Sequence, residues 1–267
     1  MKTNKNTRPS FGANRIDLWL PQSWAQLDDA ERLWLFDLMR SNQHTPVAIK
    51  TMAFIHFAGI RLIERTAQGW LYSVRSGLLQ RRIGWLRTWE VNYYLRMLDF
   101  ITDDPRLAVQ VAHIGRYTAA NAELHDVPFE TYLVCENLYQ GYIASHKTEC
   151  LHRMARLLYA DKHGKEPAAE RWTETQLFGV FYWWYSLKCI YSARFPHFFR
   201  RVDSAGGDVG KTPDMTAIMN AEIRALTGGD VTKEQQVFAL DAYRALTELN
   251  EKAREAKELN DRLKSRK

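Results

Sequence analysis

The sequence predicts a mainly α-helical protein, built as a multi-helix bundle with a small β-hairpin and a long C-terminal helix. Three observations support this fold class. Apolar residues recur at helical spacing along most of the chain, helix-start signals precede several of these stretches, and one short region alternates like paired strands. With 267 residues, 46% of them hydrophobic and 25% charged, the chain can bury a sizeable core and is not wholly disordered.

The first two helices are marked by their start signals. Asp28 and Glu31 have the spacing of a capping box, and Thr45-Pro46 offers an N-cap residue followed by proline in the first turn. The second helix is predicted to end after residue 63, where the pattern turns polar. Its predicted core face consists of Ile49, Met52, Ala53, Phe57, Ile60 and Ile63.

A β-hairpin is predicted near residues 70–86. Residues 70–75 are strand-like, Ser76-Gly77 is a turn signal, and residues 78–85 would form the returning strand. Because a two-stranded hairpin alone is marginally stable in water, this one is expected to pack on helices.

Further helices are predicted at residues 88–102, 128–145, 148–159 and 173–194. The stretch that ends at His125 follows neither the helical nor the strand period clearly. The segment 173–194 is apolar nearly all round, which is typical of a helix at the centre of a bundle. A helix lying on a membrane surface is the alternative, but such a helix needs a polar face that this segment lacks.

The chain is predicted to divide at a glycine-rich stretch. The expected parts are a flexible arm at 1–15, a helical core domain at 16–203, a linker at 204–213 and a C-terminal helical appendage at 214–267. Thr232 and Gln235 have capping-box spacing and are predicted to start the final helix.

The final helix carries a repeating apolar pattern. Ala242, Leu249, Ala256 and Leu263 recur every seven residues, with Leu246 between them. The pattern is short and rich in alanine, so packing on its own domain is favoured over a coiled coil.

The cysteines and the apolar runs indicate an intracellular protein. The three cysteines, Cys135, Cys150 and Cys189, are odd in number and far apart, as is usual in a reducing compartment. The first fifteen residues are polar and basic and are not followed by the apolar core of a signal peptide. The most apolar run, residues 177–187, is shorter than the ~20 residues that a membrane span needs.

One glycine-rich segment resembles a phosphate-binding loop. Residues 205–212 read Ala-Gly-Gly-Asp-Val-Gly-Lys-Thr, which fits a relaxed form of that motif. A phosphate loop needs a buried strand before it and a helix starting at the Lys-Thr pair, and Pro213 disfavours helix at Thr212. A linker is therefore the favoured interpretation, and no nucleotide or other cofactor is expected.

No catalytic or metal-binding residues are predicted. His146, Cys150 and His152 lie close together in sequence beside Glu149, but their spacing does not show that they converge on one ion. Nothing local marks a cysteine as activated, and cysteines in helices are usually small core residues. The protein is therefore predicted not to be an enzyme.

The best nucleic-acid candidate is a segment in which arginine alternates with tryptophan. Arg81, Arg82 and Arg87 are interleaved with Trp85 and Trp89, and such residues can contact phosphates and stack on bases. The net charge of +6 is mild and spread along the chain. The favoured alternative is a hairpin edge whose arginines keep it soluble and whose tryptophans pack inward.

The C-terminal third resembles a known group of proteins. Asp-Met at 214–215, Ile-Arg-Ala-Leu-Thr-Gly-Gly-Asp-Val-Thr-Lys-Glu at 223–234 and Arg-Ala-Leu-Thr-Glu-Leu-Asn at 244–250 resemble the end of uncharacterised proteins encoded in bacterial prophage tail-gene clusters. The opening Leu-Pro-x-Ser-Trp-x-x-Leu at 20–27 is similar to their start. Residues 93–102 and 139–159 are similar to their middle.

This resemblance implies a non-enzymatic role in phage tail morphogenesis. Proteins encoded close to the tape-measure gene are often tail assembly chaperones, which are helical and coat a long helical client until the tail tube polymerises. The implied partner is a tail protein such as the tape measure, or a second copy of this chain, in the host cytoplasm or the virion. Because the chain is longer than many small tail chaperones, a minor structural role is also open.

Overall fold

A computed structural model describes residues 18–41, 43–75, 80–199 and 215–265 of the chain. The contacts divide it into two compact units, within Met1–Asp104 and Pro105–Lys267. The structure is mainly helical, as the sequence predicts. The predicted arm at 1–15 and the predicted linker at 204–213 lie outside the described residues.

The first unit opens with two capped helices, α1 (Asp29–Arg40) and α2 (Pro46–Phe57), after a 3₁₀ turn at Trp24–Gln26. The predicted capping box before α1 is confirmed, because the Glu31 amide donates to Asp28 Oδ1 at 2.8 Å and the Asp28 amide to Glu31 Oε2 at 2.9 Å. Thr45 caps α2 as predicted, accepting from the Ala48 amide at 3.2 Å.

The predicted end of the second helix is wrong. The helix stops at Phe57, and Gly59 takes a left-handed backbone conformation, φ 61°, which breaks the helical path. Ile60 and Ile63 then lie on a strand, β1 (Ile60–Thr66). Their three-residue spacing imitates a helical stripe, but Ile60 is buried and Ile63 is 52% exposed.

The predicted hairpin is part of a three-stranded antiparallel sheet. Strands β2 (Gly69–Arg75) and β3 (Arg81–Arg87) pair as predicted, and β1 pairs with the other side of β2. The third strand supplies the extra pairing that a lone hairpin lacks. The inner face of the sheet buries Trp70, Tyr72 and Leu86.

Helices α2 and α3 (Thr88–Met97) both contact the sheet. The Phe54 ring lies 5.8 Å from the Trp70 ring and 5.2 Å from the Tyr94 ring, between centroids. These contacts join α2, β2 and α3 in one core. A 3₁₀ turn at Asp99–Ile101 follows α3. Asp99 Oδ1 forms an ion pair with Lys50 Nζ on α2, at a distance of 2.7 Å.

The second unit contains α4 (Phe129–Ser145), α5 (Thr148–Leu158) and α6 (Glu174–Arg194). These bounds match the predicted helices within one or two residues. Helix α6 begins with a capping box between Thr173 and Gln176, and it buries Trp183 and Trp184 completely. The prediction that this segment is a helix with most of its surface buried is confirmed.

The stretch before residue 125 is held by side chains of other elements. It contains β4 (His113–Ile114) and β5 (Tyr117–Ala119), which form a small antiparallel sheet with β6 (Tyr159–Ala160). From α6, Ser186 Oγ accepts from the Val109 amide at 2.8 Å, and Trp183 Nε1 donates to the Ala122 carbonyl at 2.9 Å. These long-range hydrogen bonds hold the stretch in place, which explains why its sequence shows neither a helical nor a strand period.

The C-terminal elements are α7 (Met215–Thr227), a 3₁₀ turn at Val231–Lys233, α8 (Glu234–Phe238) and α9 (Ala242–Lys264). The prediction that Thr232 and Gln235 start the final helix is wrong. Asp230 caps the 3₁₀ turn by accepting from the Thr232 amide at 3.0 Å, and Asp241 caps α9 by accepting from the Arg244 amide at 2.8 Å. The helix breaks between α8 and α9 because backbone atoms there bond to the start of α4.

The first part of α9 is fixed to its own unit. The Phe129 amide donates to the Leu240 carbonyl at 2.7 Å, and the Ala242 amide to the Val127 carbonyl at 2.8 Å. Further along α9, Asn250 Oδ1 accepts from the His197 amide at 3.0 Å. These bonds bracket the buried segment of the helix. Among the described residues, no helix has the length and apolar character needed to cross a membrane.

Candidate binding surfaces

The structure brings most of the arginine–tryptophan segment together on one surface. Arg81, Trp85 and Arg87 project from one face of β3, an edge strand of the first sheet, and Trp89 lies in the first turn of α3. Arg82 is opposite Val74 in the register and therefore faces the other side. Four of the five predicted residues thus share one surface.

The favoured interpretation of the two tryptophans, that they pack inward, is wrong. Trp85 is 44% exposed and Trp89 is 51% exposed. The register explains this, because Leu86 lies opposite Trp70 and fills the core, which turns the neighbouring Trp85 to the other face. Both indole rings therefore keep a large part of their surface exposed to solvent.

The outer face of the sheet is basic. Strand alternation places Arg61, Arg75, Arg81 and Arg87 there, and Glu64 is the one acidic residue in the three strands. None of these four arginines forms an ion pair with a carboxylate in the described parts of the chain. Arg75 and Arg81 lie directly opposite one another, an arrangement of like charges that an anion between them would relieve.

Trp85 and Trp89 line a depression of about 690 Å³ at one end of this face. Its other walls are Gln68, Arg87, Thr88 and Asn92. The side-chain amides of Gln68 and Asn92 have no hydrogen-bond partner among the residues that the structure describes. The depression therefore offers two aromatic rings, one cation and two amide groups to a ligand.

Sequence reasoning missed half of this surface. Arg61 belongs to a strand that was predicted as the end of a helix, so its alternation with the rest of the face was not visible. Gln68 and Asn92 reach the depression from the β1–β2 turn and from α3. The signal that could have found them is the pair of strand-like runs around the Gln68-Gly69 turn.

We define a second candidate surface, the α9 stripe, as the apolar line along the outer half of the final helix. The apolar residues continue along one side of α9 beyond the part that its own unit covers. Leu246 and Leu249 are buried, whereas Leu259 is 58% exposed and Leu263 is 53% exposed. Along this half of the helix, Arg254 pairs with Glu251 at 2.8 Å and with Glu258 at 2.7 Å.

The other candidate sites considered from the sequence are a histidine–cysteine cluster, a glycine-rich loop and the cysteines. His146 is the exposed C-cap of α4, and His152 Nδ1 lies 2.8 Å from the Ala169 carbonyl, with which it bonds. No group of three metal-ligating side chains occurs in the described ranges. The glycine-rich segment 205–212 lies outside them. Cys135 is fully buried, and burial raises the pKa of its thiol well above the ordinary value.

Ionisable groups from three helices meet inside the second unit. Glu136 on α4 accepts from Trp184 Nε1 at 2.9 Å and from Lys188 Nζ at 2.5 Å, both on α6. Burial, followed by the Glu136 carboxylate, raises the pKa of Glu222 on α7 to about 7, while Lys188 acts in the opposite direction. Glu136 neutralises the charge of Lys188. The cluster is therefore a partly buried ion pair with the Glu222 carboxyl group beside it.

Comparison with protein families, with characterised proteins and with solved structures gives no match to this chain.

Proposed function

We propose that this protein is a non-enzymatic binding protein of phage or prophage tail morphogenesis, either chaperone-like or a minor structural component. In this proposal the protein binds a helical tail protein, such as the tape measure, in the host cytoplasm. The resemblance of residues 223–234 and 244–250 supplies the setting. The proposed mode of binding is supported by the α9 stripe, because its leucines continue beyond the buried part of the helix and are exposed there.

The α9 stripe has the properties of a helix-binding surface. Leu259 and Leu263 are four residues apart, so their side chains lie one above the other on a single side of the helix. The flanking ion pairs at Arg254 stabilise the helix and need no partner to neutralise them. A partner helix that packs on the stripe would gain apolar burial from both leucines.

We propose further that α4, α5, α6 and α9 form one bundle, from which the outer half of the long final helix extends. Helix α4 packs on α5 and α9, and α5 packs on α6. In this bundle the first half of α9 packs on its own unit, and the second half stays exposed to solvent.

Co-expression with the tape-measure protein of the same gene cluster tests this function. The double variant Leu259→Ala, Leu263→Ala should lose most of the co-purified partner in mild salt, because alanine removes the apolar contact but keeps helix propensity. Leu157→Ala is the matched control, since Leu157 is also an exposed helical leucine, 41% exposed, of the same unit. Absence of co-purification with the unaltered chain would contradict the proposal, and a shift only in self-association would assign the stripe to a second copy.

A second candidate function is nucleic-acid binding through the arginine–tryptophan surface. It is favoured by the exposure of Trp85 and Trp89 and by the four arginines without ion pairs on the outer face of the sheet.

Salt dependence tests this second function. If the four arginines each contact a phosphate of a single strand, log Kd should rise with log salt concentration at a slope of about 3. Substituting Arg81 and Arg87 with alanine should lower that slope by about 1.4, whereas Arg96→Ala, on an exposed position of α3, should leave it unchanged. No measurable binding at low salt would exclude this function.

A further inference from the structure

The depression beside β3 combines groups that nucleobases and protein side chains use differently. An apolar protein side chain would use the two indole rings but would leave Arg87 and the amides of Gln68 and Asn92 without partners. A nucleobase uses all of them, because its faces stack on aromatic rings and its edge carries donors and acceptors that match an amide. The lining therefore fits a base better than an apolar side chain.

The basic face continues from the depression along the sheet. Arg87 lies at the end of β3 next to the depression, and Arg81 lies at the other end of the same strand on the same face. Seven strand residues span about 20 Å, which is a path for several phosphates of an extended strand. Arg61 and Arg75, on β1 and β2, widen this path. The charge of the face thus complements a polyanion that enters the depression at one end.

We propose that the outer face of the first sheet binds single-stranded nucleic acid, with one unpaired base seated in the depression that Trp85 and Trp89 line. The inference rests on the second function proposed above and deepens it. Arginines 61, 75, 81 and 87 hold the phosphates, the two indoles contact the base, and Gln68 and Asn92 bond to its edge. A duplex does not fit this arrangement, because its bases are paired and stacked and cannot enter the depression.

Fluorescence anisotropy with three labelled probes on the full chain tests the inference. The probes are a thymidine strand of about 16 nucleotides, a strand of the same length without bases, and a duplex of the same length. The thymidine strand should bind about tenfold more tightly than the abasic strand, since stacking of one base strengthens binding by a factor of about five to 150. No binding of any probe at low salt overturns the nucleic-acid function itself. Equal binding of the thymidine and abasic strands overturns only the seated base.

Variants separate stacking from charge. Trp85→Ala with Trp89→Ala should abolish the preference for the thymidine strand and leave abasic binding unchanged, and Trp85→Phe should retain part of the preference because a smaller ring still stacks. Trp19→Ala is the matched control, because Trp19 is 44% exposed, as Trp85 is, and is not part of the depression. If the tryptophan variants lose capture of a tail protein and bind thymidine as before, the depression belongs to a protein partner and the inference is overturned.

Discussion

At the scale of single residues, an aromatic ring next to position 84 leaves room for glycine and for no larger residue. It lies on β3 opposite Tyr72 in the register, and a Cβ atom at this position would lie 2.5 Å from the Tyr72 ring carbon Cζ. The ring is buried, so it cannot move aside freely. Glycine is therefore required here for the close approach of the ring and not for its backbone freedom.

Gly84→Ala should destabilise the first unit by about 1–3 kcal/mol, because the added methyl group overpacks a buried contact. The measurement is chemical unfolding followed by tryptophan fluorescence. Gly141→Ala is the control, since a Cβ there meets only Cys150 Sγ, at 3.5 Å, within a helix that alanine favours. Equal stability of the Gly84 variant and the unaltered chain would show that the ring does not occupy this position.

Glu222 is the residue whose protonation should couple most strongly to stability. Its pKa is raised from 4.5 to about 7 by burial and by Glu136. The folded state therefore binds more protons than the unfolded state between these pH values, and stability falls as the pH rises from about 4.5 to about 7. Above that window the loss is complete.

Glu222→Gln should remove this pH dependence, because glutamine is neutral at every pH in the window. The variant should unfold at a higher temperature than the unaltered chain at pH 8, and the difference should shrink towards pH 5. Thermal unfolding at both pH values measures it, with Glu255→Gln, on the exposed half of α9, as the control. Identical behaviour of the Glu222 variant and the unaltered chain at pH 8 would show that the carboxylate is not desolvated.

At the scale of elements, the sequence predicts correctly those helix starts that depend on hydrogen bonds between residues close together in the chain. The starts of α1, α2 and α6 are correct because Asp28, Thr45 and Thr173 accept from amides three residues ahead. The prediction failed where distant parts decide the outcome. Strand β1 is stabilised by pairing with β2, and its two isoleucines alone imitate a helical stripe. The break before α9 depends on bonds from residues 127–129, over a hundred positions earlier in the chain.

The candidate surfaces show the same division. The arginine–tryptophan segment was visible in the sequence because it is continuous along the chain. Its exposure was not, since the direction of Trp85 depends on the pairing of Leu86 with Trp70 across the sheet. The α9 stripe was visible as a seven-residue repeat, but only the structure shows that its first half is buried and its second half is open.

At the scale of the whole molecule, the described part of each unit carries a candidate surface, and the two surfaces differ in their chemistry. The first unit offers arginines and indoles on a sheet, and the second offers leucines on a charged helix. Anions and aromatic bases suit the former, whereas an apolar helix face suits the latter. We therefore propose that α9 binds a tail protein and that the sheet binds nucleic acid.

The most direct test of the central claim is capture of the tape-measure protein by two variants in parallel. The account predicts that the variant at Leu259 and Leu263 fails to retain the partner, while the variant at Trp85 and Trp89 retains it as the unaltered chain does. Full retention by the Leu259 and Leu263 variant would contradict the account, because the exposed leucines of α9 would then play no part in binding.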